Sequence, residues 1–318
     1  MADEKNILVT GTSGWLGKRL VSYLQKKNHL VRPFKGDVTQ PDDCETFCKN
    51  AQNSTLIHTA GVIHPGKVKD FYAVNVIGTE NIIKAAIKNN LKRVVIISSN
   101  SPIGCNASNQ TLFDETSAYN PYMHYGKSKM AMEKMCKQYQ NNIDLVIIRP
   151  PWFYGPDQPP RQTLFFNMIR TGKFPLIGNG QNLRSMVYID NLCDGIWLAA
   201  TVDAAKNNTY WIADKHPYSM LTIVNTIKEL LDTEFQLNVS NRQIKLPYFV
   251  GTVAEYTDKL LQACGVYQQK IHVLSELNKT IACSTQKAQK ELGYAPKVAL
   301  KDGMRQSIQW CLDSGFKL

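Results

Sequence analysis

The sequence predicts an α/β protein built on a mostly parallel, doubly wound sheet, with a smaller C-terminal unit interwoven with it. Three observations carry this. Strand-like and helix-like segments alternate through residues 6–150, the pattern of successive βαβ units. The strand segments are continuous apolar runs, such as Ile7–Val9 and Val94–Ile97, which suits a sheet covered on both faces. A chain of 318 residues, 43% hydrophobic and 20% charged, has ordinary globular composition and room for about two domains.

Taken in order, Asn6–Thr10 reads as the first buried strand. Gly11–Gly17 is a glycine-punctuated turn, and Trp15–Lys27 has helical spacing. His29–Phe34 is a second strand. Pro41 starts a helix, because proline suits a first turn and Asp42 and Asp43 suit the positive end of the dipole. Thr55–Thr59 reads as a strand, Val68–Asn89 as one long helix and Arg93–Ser98 as a strand. Tyr122–Tyr139 reads as a helix and Ile143–Arg149 as a strand. Prolines 150, 151, 156, 159 and 160 then crowd one stretch, expected as a loop near the substrate side. Later helices are expected over Arg161–Arg170, Asn191–Ala205, Thr222–Glu234 and Asp302–Ser314. The expected division is 1–155 for the sheet unit and 156–318 for the smaller one, with about 185–215 returning to the sheet.

The net charge is +11, from 37 Lys and Arg against 26 Asp and Glu, so anionic partners are in keeping with the composition. The lysines are dispersed and no aromatic–basic module accompanies them, so a nucleic-acid site is not expected. The six histidines form no ligand set, and no metal is expected. Eight cysteines without a CxxC read as reduced thiols. MADEKNILVT lacks the basic and then apolar pattern of a secretory leader, and no apolar run approaches the ~18 residues of a membrane span. The expectation is a soluble cytoplasmic protein.

The strongest local signal is Gly11-Thr-Ser13-Gly14-Trp15-Leu16-Gly17, between the first strand and the first helix. Glycines there permit a tight turn and close approach to a pyrophosphate, and the helix N-terminus offers unpaired N–H groups to it. The spacing is GxxGxxG. Arg32 and Lys35 lie where the second strand ends, where cations would suit a 2′-phosphate and favour NADP over NAD. Tyr125 and Lys129 stand four apart in YGKSK, on one face of the expected helix. Such a pair is common and by itself carries no function. Placed after a glycine-rich βαβ region, it has the parts for proton exchange with a secondary hydroxyl. A tyrosine ordinarily titrates near ~10, and an ammonium one turn away would lower that. Ser99, after the VVII strand, is positioned to hold the substrate oxygen.

These stretches together resemble the extended short-chain dehydrogenase/reductase superfamily over nearly the whole chain. Thr10–Gly17 resembles its TGxxGxxG, and Gly36-Asp37-Val38 its GD(V/L) segment, whose aspartate contacts adenine. His58-Thr59-Ala60-Gly61 resembles the HxAA cofactor loop, Val74–Asn81 the VNVxGTxN element that includes Asn75, and Tyr125–Lys129 the YxxSK element. Arg149–Pro156, which includes Pro150, resembles RPxxxYGP. The resemblance implies a Rossmann-type sheet binding NAD(P), a smaller substrate unit, and Ser99, Tyr125 and Lys129 as the catalytic set. Gly11, Ser13, Gly14, Trp15, Leu16, Arg32, Lys35, Asp37, Val38, Thr59, Ala60, Gly61, Asn75, Tyr125, Lys129 and Pro150 are the expected cofactor contacts.

Ser101, Tyr122, Trp152 and Arg184 are the expected substrate contacts. His64 and His124 are weaker candidates for the substrate mouth. Trp152 stands where many sugar-nucleotide epimerases carry asparagine, which favours a flatter or more apolar substrate. Pro150-Pro151, Tyr188–Asn191 and Glu291–Pro296 resemble the 3β-hydroxysteroid dehydrogenase-like branch, whereas Gly178–Arg184 resembles a loop of sugar-nucleotide enzymes in which Arg184 would clamp a diphosphate. The bland alternative for Arg184 is a salt bridge beside Asp190. The reading is an NAD(P)-dependent oxidoreductase acting on a secondary alcohol or ketone. The alternatives are a nucleotide-sugar epimerase, dehydratase or 4-keto reductase, and a cofactor-binding regulator without turnover. A small-molecule substrate and a homodimer are expected.

Overall fold

The computed structural model describes residues 6–318. Residues 1–5, part of the stretch weighed above against a secretory leader, lie outside the described residues. Ile7–Thr10 forms β1, and Trp15–Lys26 forms α1, whose Leu16, Leu20 and Leu24 make one buried stripe. β2 is Val31–Pro33, shorter than expected at both ends, and α2 is Pro41–Cys48. The acidic first turn and leading proline of α2 stand as the sequence predicts. β3 is Thr55–His58.

The expected long helix is two helices, α3 (Val68–Tyr72) and α4 (Thr79–Lys88), joined without a break by a π turn over Ala73–Gly78. The wider turn brings Asn75 fully inside, where its amide meets the backbone of Val62. β4 (Arg93–Ile97), α5 (Met123–Gln138) and β5 (Asp144–Arg149) follow.

Beyond Pro150 the expected loop is in part a strand, β6 (Trp152–Tyr154), and α6 is Pro160–Arg170. Short strands come next: β7 (Pro175–Ile177), β8 (Leu183–Arg184) and β9 (Met186–Tyr188). α7 is Ile189–Thr201 and β10 is Thr209–Trp211. The remainder is β11 (Tyr218–Ser219), α8 (Met220–Glu229), β12 (Ile244–Leu246), α9 (Tyr248–Ala263), α10 (Gln269–Glu276), α11 (Gln286–Leu292) and α12 (Leu300–Asp313).

The central sheet has the order β10-β5-β4-β3-β1-β2, and every pairing in it is parallel. The chain steps from β1 outward to β2 and then returns to β3 on the other side of β1. A crevice therefore opens where β1 and β3 end, the place where α/β sheets bind ligands. Successive residues of each strand point into different cores, as a doubly covered sheet requires. Ile7, Val9, Ile57 and Val146 pack against α1 and α7, whereas Leu8, Leu56, Val94 and Leu145 pack against α2, α4 and α5. A third cluster joins α6, α8 and α12 around Tyr154 and Tyr188.

The two halves of the chain are laced together. β10 adds to the sheet beside β5, and α7 packs on α1. Arg19 of α1 forks onto Asp190 at 2.6 and 2.8 Å, and Trp15 donates its indole N–H to the Pro156 carbonyl at 2.7 Å. No helix among the described residues is long and apolar enough to cross a membrane.

Candidate active site

The glycine turn sits at the crevice. Gly11 has φ +70°, and a Cβ there would come within 2.5 Å of the Ala60 nitrogen. A Cβ at Gly17 would come 2.2 Å from the Gly11 carbonyl oxygen, so the start of α1 can lie against the loop only as glycine. Gly14 is the N-cap of α1. No side chain caps this end, and its first turn carries no acid. The N–H groups and the positive end of the dipole are thus left for an anion. Ser13 and Gly14 are exposed at this tip, Trp15 is half-buried and Leu16 belongs to the core. Thr12 donates to the Phe34 carbonyl at 3.2 Å, which ties the loop to the end of β2.

Beyond β2 the expected contacts divide. Lys35 is exposed. Arg32 instead spends its guanidinium on the carbonyls of Phe47 and Lys49, at 3.2 and 3.0 Å, closing the end of α2. The Asp37 carboxylate accepts from the Thr39 N–H at 2.8 Å, fixing a turn that is exposed to solvent.

The residues of the Val74–Asn81 element build the walls of this cleft. A Cβ at Gly78 would strike the Val38 side chain at 2.7 Å, and Asn81 donates to the Val38 carbonyl at 3.0 Å. Asn75 accepts from Val62 N–H at 2.9 Å and donates to the Val62 carbonyl and to Ser128 Oγ. Its polar atoms are therefore occupied in holding the Ala60–Val62 loop. Thr59 and Ala60 are bonded in turn to Thr10 of β1. His58 bridges Thr10 and Thr79 at 2.8 and 3.0 Å, and burial pushes its pKa down to about 3, so the imidazole is neutral.

Ser99, Tyr125 and Lys129 come together above the end of β4. Ser99 is buried, and its hydroxyl lies 3.3 Å from Asn100 Oδ1 and from Ser101 Oγ. Burial pushes that phenol up to about 12, while Ser99 and the charge of Arg161 pull it down and Glu276 pushes it up. Lys129 is 4% exposed, and its ammonium donates to the Ile97 carbonyl at 3.0 Å. Burial lowers its pKa to about 8, and Glu133 one turn further on raises it. A Cβ at Gly61 would lie 3.4 Å from Nζ, so this ammonium faces the cofactor loop. An ammonium has three donors, and one carbonyl together with a weak contact to Met132 sulfur leaves capacity for another acceptor.

The helix carrying this pair is held from both ends. Met123 has φ +52°, a left-handed residue two positions before Tyr125, which costs of order 1–3 kcal/mol and must be imposed by its surroundings. The imposing group is in reach: the His124 N–H donates to Gln262 of α9 at 3.0 Å. Gln262 is fixed by Asp258, which also takes His272 at 2.7 Å. At the other end, Glu133 receives Ser98, Tyr119 and a two-pronged fork from Arg149. Neither Glu133 nor Asp258 stood out in the sequence. Each is an acid on a helix face that is otherwise buried, and that was the signal available.

On the substrate side, Ser101 Oγ lies 3.3 Å from Ser99 Oγ. Pro150 is buried, and Trp152, half-buried, packs on Phe165 with ring centroids 5.3 Å apart. Tyr122 donates to Ser275 at 2.8 Å and borders a cavity of about 280 Å³ that also touches Cys105 and Lys259. His64 shares a hydrogen bond with Tyr267, and His124 one with Tyr72. The salt bridge considered for Arg184 is not formed: Asp190 is taken by Arg19, and the nearest acid to Arg184 is Glu276 at 4.0 Å. Arg184 is 8% exposed, and its Nε has no partner. Among the described residues, no group of three His, Cys, Asp or Glu side chains could hold a metal ion, and the eight cysteines are free thiols.

Comparison with known proteins places this geometry. The sequence profile of the NAD dependent epimerase/dehydratase family matches residues 7–213. The uncharacterized protein y4nL of Sinorhizobium fredii is 42% identical, over 97% of this chain and 96% of its own. A sterol-4-alpha-carboxylate 3-dehydrogenase (decarboxylating) of Candida albicans is 27% identical, over 93% of this chain and 87% of its own. Among solved structures, a UDP-glucose 4-epimerase of Thermotoga maritima, crystallised with UDP-glucose, superposes with a TM-score of 0.76. It shares 18% identity, over 97% of this chain and 99% of its own.

Proposed function

Because the chain belongs to the NAD dependent epimerase/dehydratase family, we propose that it is an NAD(P)-dependent oxidoreductase acting on a secondary alcohol or ketone, of the 3β-hydroxysteroid dehydrogenase-like kind. The observation that carries the reading is the convergence of Ser99, Tyr125 and the buried Lys129 at the crevice beside an uncapped helix N-terminus. Bound NAD(P) would accept or supply the hydride. The fit of the site to it rests on that N-terminus and on the spare donors of Lys129 facing Gly61.

In this reading Ser99 donates to the substrate oxygen and fixes it beside the phenol. Tyr125, protonated at neutral pH, gives its proton to the oxygen of a ketone during reduction and recovers it during oxidation. Lys129 holds the ribose next to the nicotinamide, and its charge there favours the phenolate once substrate and cofactor exclude water. Trp152 and Phe165, their rings tilted by 57° to each other, present an apolar wall, which favours an apolar substrate over a heavily hydroxylated one. The sterol dehydrogenase relative supports the same choice. Lys35, exposed at the end of β2, is the cation left for a 2′-phosphate, and we assign a preference for NADP to it; Arg32 is engaged elsewhere.

A second reading has one specific support. The buried, unpartnered Nε of Arg184 would suit a nucleotide diphosphate, as in a sugar-nucleotide epimerase.

Tyr125→Phe tests the reading. With a panel of 3β-hydroxysteroids and UDP- and dTDP-sugars, turnover should fall at least a hundredfold. NADPH should still quench the tryptophan fluorescence of the variant, and more strongly than NADH at equal concentration. Unchanged turnover would remove Tyr125 from the chemistry. Turnover of a nucleotide sugar alone would move the protein to the second reading.

A further inference from the structure

α9 (Tyr248–Ala263) turns a polar face inward and an apolar one outward. Its buried side carries Asp258 and Gln262. Gln262 accepts from the His124 N–H at 3.0 Å, so the helix is joined directly to α5, one residue from Tyr125. Its outer side carries Phe249, Val253, Tyr256 and Leu260, each 58–69% exposed. Their spacing, i, i+4, i+7 and i+11, draws one stripe along the helix, about 16 Å from end to end. A row of large apolar side chains left in solvent marks an interaction surface. The charges around this stripe have one sign. From residue 241 to 279 the exposed charged residues are Arg242, Lys245, Lys259 and Lys270. The three acids of that stretch are withdrawn. Glu255 is taken by Lys259 and Lys279 at 2.7 Å each, Asp258 is buried against His272, and Glu276 lies 3.7 Å from the same imidazole. Basic groups stand at both ends of the helix. Arg242 and Lys245 precede it, and beyond its last turn Val266 forms an antiparallel bridge with Lys67, itself exposed.

We propose that α9 docks the protein on an anionic bilayer, its apolar stripe entering the interfacial layer and the basic groups at its ends meeting the lipid headgroups. A helix with aromatic and aliphatic residues on one face and cations beside it binds such a surface by burial and by charge together. Tyr256 suits the headgroup level, where a phenol can bury its ring and keep its hydroxyl wet. Docking of this kind lies in the plane of the interface and needs no spanning helix. It is independent of the reaction at Ser99, Tyr125 and Lys129. A second copy of this chain fits the stripe less well. Two α9 helices packed antiparallel would set the basic end of one against the basic end of the other, and a parallel pair would do the same. A groove on another protein also fits less well: side chains this exposed project from the surface, and a fluid layer admits them without a preformed pocket.

Sedimentation of the full chain with lipid vesicles tests this, using phosphatidylcholine alone or with roughly 30% phosphatidylserine at near-physiological salt. The protein should partition onto the anionic vesicles about tenfold more strongly than onto the neutral ones. Phe249→Ser combined with Leu260→Ser should lower that partition about tenfold or more. Its thermal midpoint should match the wild type, since both side chains already stand in solvent. Lys245→Gln combined with Lys270→Gln should lower the partition about tenfold. Lys92→Gln combined with Lys206→Gln should leave it unchanged, because these exposed lysines precede β4 and β10, at the end of the sheet away from the crevice. Equal loss in the two lysine pairs would mean adsorption through net charge alone and overturns the proposal. Val253→Trp reads the stripe directly: the emission it adds over the wild type should shift to the blue on anionic vesicles. An unshifted emission from vesicle-bound protein overturns the proposal too. Light scattering covers the second-copy case. A dimer that Phe249→Ser with Leu260→Ser splits into monomers would place a second copy on α9, and docking on lipid fails. Failure to bind either kind of vesicle also overturns it and leaves the stripe to an acidic protein partner.

Discussion

Glu133 has no solvent exposure and lies one turn beyond Lys129 on the helix that carries the candidate catalytic pair. It accepts from Ser98 at 2.5 Å, from Tyr119 at 2.8 Å and from Arg149 at 2.6 and 3.0 Å. A buried pair of this kind adds little beyond what well-packed apolar residues would, but removing one partner strands the other charge. Glu133→Ala should therefore cost about 3–5 kcal/mol in urea unfolding, with Glu133→Gln less damaging. Glu133 also raises the pKa of Lys129, so in Glu133→Gln the alkaline limb of the pH–rate profile should move to lower pH. A variant as stable as the wild type, with an unmoved profile, would show that the network is dispensable. At this scale the sequence was legible where chemistry imposes spacing: Tyr125 and Lys129, the glycines, Ser99. It was not legible for Glu133 and Asp258, because a lone acid on a helix face has nothing in its spacing to name partners that lie on other elements. Which arginine meets Asp190 depended on a contact across 171 positions.

The elements that sequence patterning found are those whose apolar residues face inward, α1 and β1–β5 among them. α9 was missed because its pattern is inverted. Phe249, Val253, Tyr256 and Leu260 are 58–69% exposed, while Gly251, Ala254, Asp258 and Gln262 are buried. β6–β9 were missed because each is two or three residues long, too short for alternation to register. The junction of the glycine loop with α1 is the element most dependent on one residue. Gly17→Ala places a methyl group 2.2 Å from a backbone oxygen that has no rotamer to escape into. It should cost about 1–3 kcal/mol and weaken NADPH binding together. Gly14→Ala, whose Cβ would lie 3.3 Å from the same oxygen, should be milder. Thermal melts and cofactor titration check the pair, and a Gly17→Ala protein that melts and binds like the wild type would contradict the packing argument.

Over the whole molecule, the buried histidines and Asp214 shape how stability responds to acid. His58 and His64 are held near a pKa of 3, whereas in the unfolded chain each titrates near 6.5. Below pH 6.5 the unfolded chain binds protons that the folded one refuses, so stability falls as pH drops toward 3. The slope is at most about 1.4 kcal/mol per pH unit for each group. His272 acts oppositely. Asp258 and Glu276 raise its pKa against the pull of burial, so its contribution is complete below pH 6.5 and is lost as pH rises through its folded value. His124, which burial also lowers, joins His58 and His64, while the buried Asp214 carboxyl, pushed up to about 6, joins His272; three groups oppose two, and the midpoint of urea unfolding should fall between pH 7 and pH 5, with a flatter slope in His58→Asn. A midpoint that rose over that range would reverse the assignment.

The strand that closes the sheet beside β5 comes from far along the chain, at Thr209–Trp211. Seen from the ribosome, β5 is finished roughly 60 residues before its neighbour is made, and at ~5–20 residues per second that is an interval of about 3–12 s. Through that interval the nascent chain carries an unpaired parallel edge, and the face of α1 that α7 covers is bare. The late segments that lace the halves together thus also set the earliest point in synthesis at which that edge and that face can be covered.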